Sequence, residues 1–557
     1  MPPILSVIRI ILTFDKHRPL LNLGGINMSR FNKQSKLTQT EISHAGDIAF
    51  KMVPEMELYS LVCSSLLTPT YYVPNNAIAL GKIKGLIKEV DPLFVAQLAI
   101  YAREKMYLRT IPLVLTVELA KIHSGDNLLR RLTRRVVQRV DEITELVSYY
   151  IKANKHTPKF IDNKAGHRVE KKIYKFSNQI KKGLSDIFES GKFNEYNYAK
   201  YNRDTEVKLR DVLFLTHPKP HTTEMKELFF KIANNGLSTP YTWETELSKA
   251  GQDGLSKKRV WEDLILSNKM GYMATLRNMR NFLKEGVSDI LLQKVADRIS
   301  DTEEVRKSKQ LPFRFLSAYR VLVGDPEMNW HKEEFENIQY KDAKILVEAL
   351  EKAVLISVEN MPVFENENVL IATDVSSSMW KPISPKSKVM RYDIGALLAM
   401  LAQTRCTYAT VGMFGDDWKM LNDLANKDVL WATNEIYKRE GEVGYSTNGW
   451  KVIEGAIKDF DNGGISYDRI MMFTDVQLWN STGRDRGKVN RLWKEYKKIV
   501  PNAKLYLFDL GGYGQVPIDM KSGDIYLIAG WSDKIFNVLQ GLEKGKDALD
   551  EVKQIEL

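Results

Sequence analysis

The sequence predicts an α + α/β chain, a long helical solenoid followed by a doubly wound, mainly parallel α/β domain. Two observations predict this. Between residues 40 and 360, segments of roughly 10–24 residues carry apolar side chains at helical spacing and are separated by turn signals. From residue 361 onward, short apolar runs alternate with helical patterns, the rhythm of a parallel sheet. A third observation marks where a ligand would sit. The apolar run Val369–Ala372 breaks into Asp374-x-Ser376-x-Ser378 at what reads as a strand's carboxyl end, the edge where open α/β sheets hold ligands.

In the first part, Ile78–Ile87, Pro92–Lys105, Ile111–Ile122, Asn127–Tyr150 and Val287–Ser300 read as helices. Turns are expected at Ser124-Gly-Asp126, Asn234-Asn-Gly236 and Gly324-Asp-Pro326. Short helices joined by short connections predict stacked antiparallel pairs, although no fixed-period repeat is visible. In the second part, strands are expected near 369–373, 407–414, 468–474, 504–509 and 525–529, with helices near 391–404, 449–459, 487–499 and 534–543. The boundary falls near Met361-Pro-Val-Phe364, with Asn360–Glu367 as linker. In residues 1–27, the apolar run Ile4–Phe14 is broken by Arg9 and has no small-residue cleavage site, so a loose tail or an upstream start codon is expected rather than a signal peptide. The expected parts are a tail over 1–29, a helical region over 30–360 and an α/β domain over 361–557.

Composition narrows the classes. Of the 557 residues, 44% are hydrophobic and 27% charged, the balance of a globular protein too long for one core. Two cysteines, Cys63 and Cys406, exclude a disulfide framework and a CxxC zinc site and fit a reducing, cytoplasmic setting. No apolar run is long enough for a membrane span. The net charge of +11 is unevenly placed: residues 361–557 hold 25 Lys+Arg against 27 Asp+Glu, and residues 1–360 hold 56 against 43. The surplus of the first part suits a polyanion such as nucleic acid or anionic lipid, and a solvated basic surface would give the same totals.

One carboxylate and two hydroxyls at alternate positions suit a hard cation such as Mg2+, which takes oxygen ligands. Alone, Asp374-x-Ser376-x-Ser378 fits a polar strand-to-helix turn equally well. Two more pieces add to it. Gly444-Tyr-Ser-Thr447-Asn448 offers a third hydroxyl, and Arg469-Ile-Met-Met-Phe-Thr-Asp475 is a second apolar strand ending in an acid. The triplet resembles the metal-ion-dependent adhesion site of von Willebrand factor A domains. That resemblance implies that Ser376, Ser378 and Thr447 contact a metal and that Asp374 and Asp475 act directly or through water. The metal expected is Mg2+, with Mn2+ or Ca2+ as alternatives, and a partner's carboxylate would complete its coordination.

The stretch 151–220 holds 16 Lys+Arg against 8 Asp+Glu, with Tyr174, Phe176, Phe193, Tyr196, Tyr198 and Tyr201 interleaved. Cations for phosphates and rings for unpaired bases are what single-stranded RNA requires. A solvated insertion with packed tyrosines would look the same. Four strings weigh on this choice. They are Ala102-Arg103-Glu104 with Leu108-Arg109-x-Ile111-Pro112; Lys208-Leu-Arg-Asp211 leading to Thr216-His217-Pro218-Lys219-Pro220; Leu276-Arg277-Asn278-Met279-Arg280; and Leu311-Pro-Phe313 to Tyr319. Together they resemble the TROVE module. With the α/β domain behind it, the order of parts over roughly residues 30–557 is similar to the Ro ribonucleoprotein family and its bacterial relatives.

The resemblance implies a ring of HEAT-like helical repeats closed by one chain, hence a monomer, with the chain's two ends packed close together. It implies RNA contacts from Lys200, Tyr201, Arg203, His217 and Lys219. The RNA would be the single-stranded 3′ end of a structured or misfolded noncoding RNA, or a Y-type RNA, and an exoribonuclease would be a partner in RNA quality control. This chain departs from the family's basic, Gly-containing turn by having Asn202-Arg203-Asp204-Thr205, and Asp204 would weaken one phosphate contact. The Lys-rich sequence at 164–182 could compensate by gripping RNA on the outer surface. Arg103 and Arg109 read as structural ion pairs, and Arg130, Arg131, Arg134 and Arg135 as a solvated face.

No phosphate-binding P-loop, G-x-S-x-G elbow or H-E-x-x-H is present, so no enzyme is expected. The rival functions are a metal-dependent interaction adaptor whose solenoid binds protein rather than RNA, and a cryptic nuclease using Asp374 and Asp475.

Overall fold

The structure is a computed structural model. It describes residues 40–42, 48–64, 74–154, 159–162, 168–171, 176–202, 204–323, 340–359, 361, 363–383, 389–478, 487–512, 515–519, 524–530, 535–536, 538–539 and 548–557. The expected tail, the turn at Gly324, Arg203 and most of the helix near 534–543 lie outside these residues, as does part of the Lys-rich stretch 164–182.

Seventeen helices lie among the described residues between Pro54 and Ile356. Local chemistry sets where they begin. Helix Pro92–Glu104 starts with proline at its first position, and the Asp91 carboxylate accepts the Leu93 N–H at 3.0 Å. Its residues Phe94 to Arg103 are all buried. The single helix expected over Asn127–Tyr150 is instead two, Leu128–Val136 and Val140–Ala153. The break arises because the Glu142 carboxylate accepts the N–H groups of Gln138 (2.8 Å) and Arg139 (3.0 Å), capping a new helix from within its first turn. Lys309, from the far end of the helical run, places its ammonium 5.3 Å from the centroid of the Tyr107 ring, so the run curves back on itself.

Strands β1 (Thr40–Ile42) and β2 (Ile48–Lys51) form a hairpin, and β3 (Lys159–Asp162) pairs with β4 (Arg168–Lys171). The remaining strands are β5 (Phe364–Asp374), β6 (Cys406–Phe414), β7 (Trp418–Met420), β8 (Arg469–Thr474), β9 (Lys504–Asp509), β10 (Gln515–Val516) and β11 (Ile525–Ala529). Six of them make one sheet in the order β11-β9-β8-β5-β6-β7, parallel throughout except for β7. Its central strands are buried apolar runs, Val369–Ala372 and Ile470–Phe473 among them, as a sheet covered on both faces requires. β5 begins at Phe364, inside the expected linker, because Phe364 already pairs with Cys406 ahead of a register shift at Asn368. Helix Val429–Arg439 was not legible as a separate element.

The chain after β5 crosses through helix Arg391–Gln403 to β6 on one side, whereas β8 lies on the other. The gap above β5 is therefore a topological switch point, and Asp374 ends the strand beneath it.

Helical and α/β parts are joined by buried polar contacts. Arg320, 2% exposed, donates to the Asp393 carboxylate at 2.7 Å and to Asn434 at 3.2 Å. Glu351 accepts the N–H groups of Leu430 and Trp431, both at 3.0 Å, at the start of helix Val429–Arg439. β10 adds to β2, and Gln97 donates to the carbonyls of Lys553 (2.8 Å) and Ile555 (3.1 Å), so the last residues return to the first helices.

Candidate metal centre and nucleic-acid interface

Three loops meet at the carboxyl edge of the sheet. The β5 loop carries Ser376 and Ser378, whose hydroxyls lie 3.2 Å apart. Asp374 Oδ1 accepts the Ser376 N–H at 2.9 Å, and Oδ2 accepts the Thr474 hydroxyl from β8 at 2.5 Å. Asp475 follows on β8, its Oδ1 accepting the Gln477 N–H at 3.2 Å. Val476 beside it has φ +62°, a costly conformation for a β-branched residue that persists where surroundings over-determine it.

The loop carrying Thr447 is held by backbone bonds. Tyr445 O accepts Ser377 N–H at 2.9 Å, and Gly415 O accepts Asn448 N–H at 2.9 Å. Gly415 and Gly444 have no room for a side chain: a Cβ on Gly415 would collide with the Gly444 carbonyl oxygen. The structure thus brings Asp374, Ser376, Ser378, Thr447 and Asp475 to one edge, where all but Ser378 are buried.

These residues fit a hard divalent cation. Asp475 Oδ2 is buried and accepts no hydrogen bond among the described residues. Burial, with Asp475 close by, pushes the Asp374 carboxyl up, and burial raises Asp475 although Arg391 opposes it. Two carboxylates withdrawn from water, one with an unmet oxygen, are relieved by a cation between them. Among the described residues, no three His, Cys, Asp or Glu side chains converge on one point, so the donor set is two acids with neutral hydroxyls. A third acid at this edge, Asp509, is already engaged. It accepts the N–H groups of Gly511 (2.8 Å) and Gly512 (2.7 Å) and the Ser60 hydroxyl.

The second feature is a cavity of about 1040 Å³ enclosed by helical segments from Arg103 to Arg314, with Ile383 reaching in from the α/β part. Its lining includes Lys200, Lys269, Arg277, Lys309 and Arg314, none with a carboxylate partner among the described residues. Arg103, Arg109 and Arg139 also line it but are neutralised. Arg103 donates to Glu142 at 2.8 and 3.1 Å, Arg109 bonds Asp141 and Glu142 at 3.0 and 3.2 Å, and Arg139 bonds Asp141 at 3.1 Å.

Arg314 is open to water within the cavity yet largely surrounded by protein. Burial, with Arg277 and Arg109 nearby, lowers its pKa, a sign of like charges gathered around one space. Tyr196, Tyr201, Tyr241 and Trp243 line the same cavity. Lys200 lies 5.8 Å from the Tyr196 ring and 5.7 Å from Tyr201, and Lys269 lies 4.7 Å from Tyr241.

Of the residues singled out for RNA, Lys200 and Tyr201 therefore line the cavity and His217 and Lys219 do not. His217 is exposed at the left-handed C-cap of helix Leu209–Thr216, and the Lys219 N–H donates to Glu189 at 2.9 Å. Asp204 is compensated by Lys208 at 2.7 Å. Arg135 pairs with Glu104 and Arg130 with Asp186, each at 2.7 Å. The sequence reading missed Lys269, Arg277, Lys309 and Arg314 as cavity residues and Thr474 as the partner of Asp374. Arg277 and Arg314 lay inside two of the resemblance strings without being singled out.

Residues 235–366 match the family model of the TROVE domain. Telomerase protein component 1 of Rattus norvegicus is 23% identical over 350 residues, covering 48% of this chain and 13% of that protein. The same-named protein of Mus musculus is 23% identical over 346 residues, covering 48% and 12%. The chain thus spans only a small fraction of the length of these curated relatives. The crystal structure of the Deinococcus radiodurans RO (RSR) protein shares the fold, with TM-score 0.57 and 15% identity over 89% of this chain and 100% of that one. No helix among the described residues is long and apolar enough to cross a membrane.

Proposed function

We propose that this chain is a Ro-like RNA-binding protein whose helical part, residues 30–360, takes the single-stranded 3′ end of a structured or misfolded noncoding RNA into its basic cavity. The observation that carries the reading is the cavity itself. Five cations without carboxylate partners among the described residues stand with five aromatic side chains around a space of about 1040 Å³. Lys200, Lys269, Arg277, Lys309 and Arg314 neutralise phosphates, and the tyrosines and Trp243 offer faces on which unpaired bases stack. A duplex carries its bases already paired and stacked and offers these rings no unpaired faces. The TROVE match and the fold shared with the RO (RSR) protein support the same reading. Binding of Y-type RNAs and work beside an exoribonuclease in RNA quality control belong to it.

The α/β part, residues 361–557, is proposed to be a von Willebrand A-like domain with a metal-ion-dependent adhesion site, read as binding Mg2+. Asp374 and Asp475 supply charge, and Ser376, Ser378 and Thr447 supply neutral oxygens. When bound, the ion is an electrophile able to accept a carboxylate oxygen from a partner. The chain's own residues keep the two acids buried beside each other at the sheet edge.

The test is a gel-shift titration at several salt concentrations, using a structured RNA with a single-stranded 3′ tail against the same RNA blunt-ended. Tail-dependent binding that weakens steeply with salt supports the reading, and equal binding of both RNAs removes it.

A further inference from the structure

Positive charge in the cavity is of two kinds. Lys200, Lys269 and Lys309 each stand beside an aromatic ring that lines the same space, Lys200 beside Tyr196 and Tyr201, Lys269 beside Tyr241 and Lys309 beside Tyr107. A cation with a ring next to it matches an internal nucleotide, which brings one negative charge and one base. Arg277 and Arg314 are placed differently. Among the described residues Arg277 lies over no ring, and Arg314 lies over Phe313 alone, 4.9 Å from the centroid. Phe313 is itself buried and leaves no face for a base.

The arginine corner is crowded with positive charge. Burial and the like charges of Arg277 and Arg109 bear on Arg314 and lower its pKa. Three helices, Thr110–Leu119, Tyr272–Lys284 and Phe313–Val323, open onto the cavity by their N-terminal ends. The first two have no side-chain cap, at Arg109 and Gly271, so their first N–H groups add partial positive charge. The carboxylates of the lining do not offset this: Asp141 is held by Arg109 and Arg139, and Glu244 acts on Tyr196, beside Lys200. The single charge of a phosphodiester leaves such a corner in surplus. A phosphomonoester brings up to two charges, three free oxygens for the planar forks of two arginines, and no further base.

We infer that Arg277 and Arg314 take the terminal phosphate of an RNA whose 3′ end is a phosphomonoester, and so select that end over a 3′ hydroxyl. The nucleotides before it occupy the lysine and ring positions, where each brings its own charge and base. This rests on the cavity reading above and adds the chemistry of the RNA end.

The test is fluorescence anisotropy with the full chain and a 5′-labelled structured RNA carrying a single-stranded 3′ tail. The tail ends in a 3′ hydroxyl or a 3′ phosphate, and the blunt-ended RNA is run beside them. At about pH 7.5 the phosphate end should bind about tenfold more tightly than the hydroxyl end. At about pH 5 the monoester has taken up its second proton, which it binds with a pKa of about 6, and the ratio should shrink to about threefold or less. Arg314→Gln, and Arg277→Gln as a second variant, should each bring the ratio at the higher pH to about twofold or less, whatever they do to the hydroxyl-ended RNA. Lys200→Ala should weaken both RNAs and keep their ratio. Tail-dependent binding with an equal or reversed ratio, or a ratio that survives both arginine variants or the lower pH, would overturn the inference. Equal binding of tailed and blunt RNA would instead bring down the cavity reading on which it stands.

Discussion

The two candidate sites are built on opposite plans. At the sheet edge, five short side chains from three loops are fixed by backbone hydrogen bonds, and four of them are buried. In the cavity, long flexible cations come from five separate segments, each ordinary in its own surroundings. The first plan suits an ion that demands oxygen atoms at set positions. The second suits a polymer that needs positive charge and ring faces without exact register. A concentrated site should fail all at once when one member is removed, whereas a dispersed one should weaken in steps.

Between them stands the joint at Arg320. Arg320→Ala leaves Asp393 buried without its guanidinium, and a broken buried pair of this kind costs about 3–5 kcal/mol. Urea unfolding should show that loss as the largest effect of any single substitution considered. If Arg320→Ala unfolds like the wild type, the two parts are not held together as described.

Next in size is Asp374→Ala. It removes a carboxylate from the concentrated site, and Mg2+ affinity should fall by about 100-fold or more, beyond the 10–100-fold typical of losing an outer partner. Thermal unfolding with and without excess Mg2+ checks this: wild type should gain stability with the ion, by about 2.7 kcal/mol at 100 times Kd, and the variant should gain none. Thr474→Val tests the support of the site. It deletes the hydroxyl that bonds Asp374 Oδ2, and Mg2+ affinity should fall about 10-fold.

The cavity should respond more gently. Arg277→Ala or Arg314→Ala alone should weaken tailed RNA by about 1 kcal/mol and lower the salt slope by about 0.7 for each phosphate left without its cation. Lys219→Ala, whose side chain lies outside the cavity lining, should change affinity by less than about 0.5 kcal/mol. An effect of Lys219 larger than that of Arg277 would move the RNA path away from the cavity.

The contrast also explains what could be read in advance. Asp374, Ser376 and Ser378 are neighbours in sequence at the end of an apolar run, and Asp475 ends another, so strand alternation exposes the pattern. The strands themselves were legible because buried parallel strands are unbroken apolar runs. Lys269, Lys309 and Arg314 carry no such signature, because only the curvature of the helical run brings them to the space already lined by Lys200. The break at Arg139 escaped the periodicity for a related reason. Apolar spacing continues from Leu128 to Tyr150, and only the reach of Glu142 back to two N–H groups ends one helix and starts the next. Tyr201 was named through the family resemblance, and it lines the cavity. His217 was named through the same resemblance but lies outside the cavity lining, since a local sequence match does not carry side-chain direction.

The most direct test of the central claim is the salt-titrated gel shift run on three proteins: wild type, Lys200→Ala/Arg277→Ala, and Asp374→Ala. Wild type and Asp374→Ala should prefer the 3′-tailed RNA over its blunt counterpart to the same degree, and the cavity variant should lose that preference by about 1 kcal/mol or more. An undiminished tail preference in the cavity variant, or its loss in Asp374→Ala, would contradict the assignment of RNA to the cavity and of the metal edge to another partner.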